Sequence, residues 1–374
     1  MKRFLVAFSL SFFVSSLSFA QIDLKTIAVV KLTKSEAITV KQVKNEAEQY
    51  VKADLIQKNN GRPPTADELS KALQSLTPAD KLQVLNLMIN EKLTLQAAER
   101  DKITISENEI NQQINTLRSQ LAQNIGRQPT DAEFSLAIRN QMGVELPAFR
   151  DMLRRQGLME KYLVAKKQSV LNGFKEPTEE EILAEYKLRE TQLVRPRTVR
   201  FSMIEIPYGT DNAAKARARE LADRLIREIG GNPAKFDEAV VRGQTPNSGY
   251  RAGDGGYLPM TPQAQAAAGK DFIDTAFSLK QGEVSKLIEN TRSYQIFKIT
   301  ESLEKKDLAL DDIYQLGGVR LPDGRTVNMT IKDYIYNGLL QQRQTEALQK
   351  ATQELVVELR RGNPFTIDEN LLNW

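Results

Sequence analysis

The chain has 374 residues, of which 41% are hydrophobic and 27% charged, and its formal net charge is +4. It contains no histidine and no cysteine, which excludes serine–histidine and cysteine–histidine catalysis and leaves zinc only weak carboxylate ligands. We therefore expect no metal site and no cofactor, and the composition favours binding over chemistry. Without disulfides, hydrophobic cores must hold the fold together.

The N terminus is predicted to be a cleavable export signal. Two basic residues precede an apolar run from Phe4 to Leu17 that is too short to span a bilayer comfortably, and Ser18-Phe19-Ala20 has small residues at both recognition positions. We expect cleavage after Ala20 and a soluble periplasmic product beginning at Gln21, with no lipid anchor because position 21 is not cysteine. An uncleaved anchor is the alternative.

The charge balance does not suggest a nucleic acid partner. Lys2 and Arg3 in the leader supply half of the net charge, so the mature chain is close to neutral. Residues 213–229 are rich in arginine and lysine, but acidic residues interleave with them, which indicates a solvated helix face.

Residues 21–175 are predicted to be mainly helical after a short strand pair. Leu24 to Val30 and Ala37 to Val43 are β-branched apolar runs, and a helix is expected from about Val43. Later helix starts are marked by capping signals: Thr77-Pro78, Ser106 with Glu109, Thr130 with Glu133, and Thr178 with Glu181.

Two segments of this region resemble each other. Residues 61–68 and 126–133 both run from a glycine and an arginine through proline and threonine to a glutamate. A duplication would produce this pattern. The same loop structure used independently at two places would also produce it, because glycine ends a helix and proline with threonine begins the next.

The remaining chain divides into a linker helix over 176–195, an α+β unit over 196–303 and a C-terminal segment over 304–374. The α+β unit is predicted from elements in this order: a strand Val199 to Ile206, a helix Ala213 to Ile229, a shorter helix near Phe236, a glycine-rich loop Gly249 to Gly256, a helix near Phe272 and two strands. The C-terminal segment is predicted to hold a hairpin at Val319 to Val327, an amphipathic helix Ile331 to Leu359 and a closing strand within Phe365 to Trp374.

The α+β unit resembles the parvulin-type peptidyl-prolyl isomerases. The resemblance is carried by the strand Val199 to Ile206, the turn Gly253 to Gly256, the stretch Phe272 to Ser285 and the final strand Tyr294 to Ile299. It implies a parvulin fold with a proline pocket, of which Phe272 is the retained apolar wall with Met203 beside it.

Three polar positions of that family's active site are altered here. Met203 and Gln295 stand where the resemblance implies histidines, and Pro246 stands where it implies a cysteine or an aspartate. A catalyst must favour the twisted prolyl amide over the planar one across a barrier of about 20 kcal/mol, and fixed polar groups can do so. We therefore expect no catalytic residues, with Phe272 and Met203 binding a substrate chain.

The two ends of the chain resemble the chaperone regions of the SurA and PrsA group of exported folding factors. Lys25 to Val30, Leu85 to Lys92 and Ile103 to Ile110 carry this similarity. It implies that residues 21–175 and 304–374 complete one domain. The predicted fold class is thus α+β multidomain, with a mainly helical discontinuous core, short strands at both ends, and one parvulin-like domain.

These observations predict an exported, ATP-independent chaperone that binds unfolded polypeptides, with outer-membrane proteins as clients. The alternatives are an active prolyl isomerase with residual activity and a binding protein dedicated to one partner. Met88, Met152 and Met159 could adapt to varied clients, although core packing is the favoured explanation for these methionines.

Overall fold

The computed structural model of the chain describes residues 23–59, 61–208, 211–246, 248–321 and 324–374. The predicted leader and its cleavage site lie outside these residues. The α-helices are α1 (Val40–Lys58), α2 (Ala66–Gln74), α3 (Pro78–Arg100), α4 (Glu107–Ile125), α5 (Asp131–Met142), α6 (Leu146–Leu171), α7 (Glu179–Arg189), α8 (Asn212–Ile229), α9 (Pro233–Gly243), α10 (Pro262–Ala268), α11 (Lys270–Ser278) and α12 (Ile331–Arg360). The β-strands are β1 (Thr26–Val30), β2 (Glu36–Thr39), β3 (Val194–Arg195), β4 (Thr198–Pro207), β5 (Arg251–Pro259), β6 (Ile288–Glu289), β7 (Ser293–Leu303), β8 (Lys306–Asp307), β9 (Val319–Arg320), β10 (Thr326–Val327) and β11 (Phe365–Ile367).

The chain forms two compact units. Unit 1 comprises the residues up to Phe174 together with Arg343–Trp374, and unit 2 comprises Lys175–Gln342. Unit 1 is therefore discontinuous and mainly helical with short strands at both ends, and unit 2 contains an α+β domain. The predicted fold class is confirmed.

A small sheet joins the two ends of the chain in unit 1. Its strand order is β11-β1-β2, with both pairings antiparallel, and Ala28 lies opposite Ile367 while Val30 lies opposite Phe365. Around it, one hydrophobic core combines side chains of β1, α1, α3, α6 and α12. Residues from the start and the end of the chain thus share a single core.

Polar contacts attach α12 to the helices of the N-terminal region. The buried Lys167 of α6 contacts Glu358 of α12, with 2.6 Å between Nζ and Oε1, and this hydrogen bond is the main reason that the pKa of Lys167 is raised. Arg360 of α12 donates from Nε to Oδ1 of Asn90 and from Nη2 to Oδ1 of Asn86 on α3, both at 2.7 Å. These bonds set the position of α12 along α3 and α6.

Capping boxes begin four of the helices at positions that the sequence marks. Thr77, Ser106, Thr130 and Thr178 each accept a hydrogen bond from the backbone of the third helical residue, whose side chain accepts one in return from the cap backbone. The first helix starts three residues earlier than predicted, at Val40, because Thr39 forms the same motif.

The two similar loops before α2 and α5 share one construction. Arg62 bonds Glu68 in the first loop, and Arg127 bonds Glu133 in the second. Each glutamate also closes its capping box, and the pKa of both carboxyls is lowered to about 2, first by the arginine and then by the backbone N–H of the cap residue.

The α+β domain of unit 2 is a four-stranded antiparallel sheet with the order β5-β4-β7-β6. Residues 251–256, predicted as part of a glycine-rich loop, instead lie in β5 and pair with β4, so this prediction was wrong. Backbone pairing outweighs the low strand preference of glycine here. The glycines mark a bulge, where the register shifts opposite Phe201 and Ser202 and Gly256 has a φ of +78°.

Residues 304–342, which the sequence interpretation assigns to the C-terminal segment of the core, lie in unit 2. Leu308, Ile331 and Ile335 form a small buried cluster with Ile182 of α7 and Leu193. Strand β8 pairs with β3, and the predicted hairpin is present as the pairing of β9 with β10.

Gln96 connects the turn between β1 and β2 to the core of unit 1. This residue of α3 is 1% exposed, its Oε1 accepts from the backbone N–H groups of Leu32 and Thr33 at 3.0 Å, and its Nε2 donates to Glu36 at 3.1 Å. Buried amide groups such as this one stabilise a fold only while their partners remain satisfied.

We expect Gln96→Leu to destabilise unit 1 by about 1–3 kcal/mol, because it leaves the two backbone N–H groups without their acceptor. The exposed Gln112 of α4 offers a control, since Gln112→Leu should change stability by no more than about 0.5 kcal/mol. Amide hydrogen exchange of β1 and β2 reads out unit 1 separately from unit 2. Equal protection of these strands in both variants would contradict the assignment.

Candidate functional site

The sheet of unit 2 has two differently covered faces. Ile204, Ile206, Tyr294 and Ile296 of β4 and β7 pack against α8 and α9 in one core. The alternate residues of the same strands, which include Phe201 and Phe297, point to the other face of the sheet and pack with α11 in a second core. Side chains alternate between the faces of a strand, so Phe201, Met203 and Phe297 share the face that α11 covers.

Three phenylalanine rings form the centre of the α11 face. The ring centroids of Phe272 on α11 and Phe297 on β7 are 4.6 Å apart, and that of Phe201 on β4 lies 5.4 Å from Phe272 and 6.0 Å from Phe297. Phe201 meets both of the other rings edge to face, which is a favourable aromatic geometry. All three side chains are buried.

A cavity of about 180 Å³ adjoins Phe272. Its apolar lining comes from Ala268, Phe272 and Ile288, and its polar lining includes the side chain of Gln295. Gln295 is 8% exposed, and its Nε2 donates to Oγ of Ser293 at 3.4 Å. This space would admit a small apolar side chain together with one hydrogen-bonding partner.

The predicted site residues are brought together only in part. Phe272 and Gln295 line the cavity, whereas Met203 and Pro246 are not among the lining residues that the structure describes. Met203 is half-buried against the aromatic core. Pro246 is exposed in the turn between α9 and β5, so the structure does not bring it to the cavity.

Two charged residues that line the cavity, Lys270 and Glu289, each pair with a group of opposite charge. Lys270 at the start of α11 bonds Asp274, and Lys215 of α8 lies 2.6 Å from Oε1 of Glu289. These hydrogen bonds raise the pKa of both lysines above the usual range, so both stay protonated. Proton exchange near neutral pH is usually carried out by histidine, which this chain lacks.

Two residues of this face were missed by reasoning from sequence, Phe201 and Gly255. Gly255 is exposed in β5, and a Cβ built on it would lie 2.2 Å from the Phe201 ring. The available signal was the position of Phe201 two residues before Met203, which places both side chains on one face of the strand.

No group of three acidic side chains in the described part of the chain is placed to hold a metal ion. Among the same residues, no helix is long and apolar enough to cross a membrane.

Comparisons with known proteins find similarities for both parts of the chain. Residues 1–163 match the model of the SurA-like N-terminal domain, and residues 177–315 match that of the PPIC-type PPIase domain. Chaperone SurA of Nitrosococcus oceani is 27% identical over 237 residues, which is 63% of this chain and 52% of the relative. Foldase protein PrsA of Staphylococcus aureus is 24% identical over 246 residues, 65% of this chain and 66% of the relative.

The chain spans about half the length of the curated SurA relatives that it matches. Among solved structures, a SurA-like chaperone of Campylobacter jejuni is 13% identical with a TM-score of 0.34, covering 92% of this chain and 98% of that one. Foldase protein PrsA of Streptococcus pneumoniae is 17% identical with a TM-score of 0.28, covering 84% and 94%.

We expect little or no acceleration of prolyl isomerisation. Met203, Pro246 and Gln295, at the positions where the resemblance to parvulins implies polar residues, do not supply the fixed polar groups that the twisted amide needs. A protease-coupled assay on proline tetrapeptides measures this, with an active parvulin as the positive control. Turnover near that of the control, lost on Phe272→Ala, would show that the domain is a working isomerase.

Proposed function

We propose that this chain, a SurA/PrsA-like protein with a parvulin-type domain, is an exported, ATP-independent chaperone that binds unfolded polypeptides. Its clients in this proposal are outer-membrane proteins in transit. The observation that carries the proposal is the succession of a SurA-like region and a PPIC-type domain. The resemblance to parvulins adds that Met203, Pro246 and Gln295 stand where polar active-site residues are expected. The parvulin-type domain then binds rather than isomerises.

Partly exposed apolar side chains in unit 1 support the binding of unfolded segments. Helix α2 has no buried residue, and it packs against α1, which has no buried residue after Val51. Leu55, Ile56, Leu69 and Leu73 on these helices are half-buried. Such side chains can contact a client without unfolding the core, and shallow contacts of this kind suit weak, sequence-tolerant binding.

The buried methionines do not support an adaptable methionine surface. Met88 is 7% exposed and Met152 is 6% exposed, and each belongs to a hydrophobic core of unit 1. Met159 is half-buried. Client contacts in this proposal therefore rest on the side chains of α1 and α2.

Independence from ATP is supported by the glycine-rich segment. Gly253 and Gly256 pair with β4 within an antiparallel sheet, whereas nucleotide-binding glycine loops connect a strand to a helix and carry a lysine with serine or threonine. These glycines serve the strand bulge.

The α+β domain can be removed with little change in the spacing of its flanking residues. Thr198 lies opposite Leu303 at the end of the β4–β7 pair, and Arg195 lies opposite Lys306 in the β3–β8 pair. A short linker can therefore replace the domain. Loop-closure entropy changes by only about 0.6 kcal/mol per doubling of loop length, so unit 1 should keep its fold.

Deletion of Arg197 to Ser302, with the ends joined by a short Gly/Ser linker, should leave a folded unit 1 that still suppresses client aggregation. Circular dichroism tests the fold, and light scattering with two unrelated denatured clients tests the activity. A folded product that no longer suppresses aggregation would indicate that the client site lies in the parvulin-type domain. Activity on only one client would favour a dedicated binding protein.

Export is supported by the leader, and we expect the mature chain to begin at Gln21. Intact-mass measurement of the protein from its native host should give the mass of Gln21–Trp374. A mass that retains residues 1–20, or that includes a lipid, would refute this part of the proposal.

A further inference from the structure

Phe201 occupies the space beside Phe272 on the α11 face of the sheet. Its ring lies edge to face with Phe272 at 5.4 Å and with Phe297 at 6.0 Å, and the side chain is 7% exposed. Phe201 does not line the cavity at Gln295, as far as the described residues show. The ring therefore fills a different space next to Phe272.

The opposite wall of that space is the bare backbone of Gly255. A Cβ at this position would lie 2.2, 2.5 and 2.7 Å from three carbon atoms of the Phe201 ring, closer than real contacts allow. Gly255 itself is exposed, so the ring lies directly beneath the surface of β5. The φ of Gly255 is not in the left-handed region, which means that the close approach of the ring is what makes glycine necessary there.

Met203 borders the same space. It follows Phe201 by two residues on β4, pairs with Phe297 and Gly253 across the sheet, and is half-buried against the aromatic core. The side chains of Met203, Phe272 and Phe297, together with the backbone of β5, would form an apolar pocket if the Phe201 ring were removed. A proline ring is smaller than a phenyl ring, so such a pocket could hold one.

We propose that Phe201 is an internal occupant that closes the peptide pocket of this domain. This inference rests on the proposed function, in which the domain does not isomerise, and it adds a steric cause to the altered polar positions. Client chains that contact this domain then do so outside the space that Phe201 fills. The ligand class excluded by Phe201 is a short peptide that inserts a proline or an apolar side chain of similar size. What stays open beside Phe272 is the smaller cavity at Ile288 and Gln295.

Peptide binding to the full chain tests the proposal. The methyl resonance of Met203, in protein labelled at its methionine methyl groups, reports on the pocket while succinyl-Ala-Leu-Pro-Phe-anilide is added. The wild-type resonance should not shift at millimolar peptide. In Phe201→Ala it should shift and saturate, with an affinity gain of about tenfold or more, because a desolvated apolar pocket becomes available.

Two further variants serve as controls. Phe277→Ala removes an equal ring from the same core, where Phe277 is also 7% exposed, and should leave the Met203 resonance unresponsive. Adding Gly255→Leu to Phe201→Ala should fill the space again and abolish the gain. If Phe201→Ala melts below the measuring temperature, Phe201→Val provides the same comparison with less volume removed.

Three results would overturn the proposal: a wild-type response equal to that of Phe201→Ala, an equal gain in Phe277→Ala, or no gain in a folded Phe201→Ala protein. None of them depends on suppression of client aggregation. A chain that suppresses aggregation but shows no gain refutes the internal occupant alone. A gain in a chain without chaperone activity refutes the proposed function alone.

Discussion

Unit 1 depends on the antiparallel pairing of β1 with β11. It places Val30 opposite Phe365, although the 168 residues of unit 2 lie between the two parts of unit 1 in sequence. The strands are short, so backbone hydrogen bonds alone could not hold them. Burial of Ile27, Val30 and Leu355 in one core supplies the stabilisation, and the contacts of Arg360 and Lys167 fix where α12 lies. An insertion is tolerated because closing a longer loop costs little extra entropy.

The starts of several helices could be predicted from sequence, because a capping box involves only a residue and its third successor. Ser106 with Glu109 and Thr130 with Glu133 behave as expected for this reason. Features that depend on distant partners were not accessible in the same way. Nothing near residues 251–256 shows that β4 will pair with them, and nothing near Leu308 shows that Ile182 will bury it.

The same distinction between local and distant information applies to the candidate site. The resemblance to parvulins identified Phe272 and Gln295, and the structure places both at one cavity. Pro246, chosen by its position in a motif, is exposed in a turn away from the lining residues. The contact between Phe201 and Gly255 joins residues 54 positions apart, on paired strands with a bulge between them. Its recognition required the register of β4 and β5, which the sequence does not state.

The chemistry available to the α11 face depends on which side chains would surround a bound prolyl amide. Acceleration of prolyl rotation needs dipoles that are fixed before the amide twists. The side chains on this face are four phenylalanines, several aliphatic residues, a methionine and one glutamine that bonds Ser293. Aromatic packing of this kind stabilises the domain and offers apolar contact, but it presents little that could stabilise a twisted amide. A face built mainly of apolar side chains can be filled by one of its own rings, and Phe201, packed against the backbone of Gly255, has the geometry expected of such an occupant.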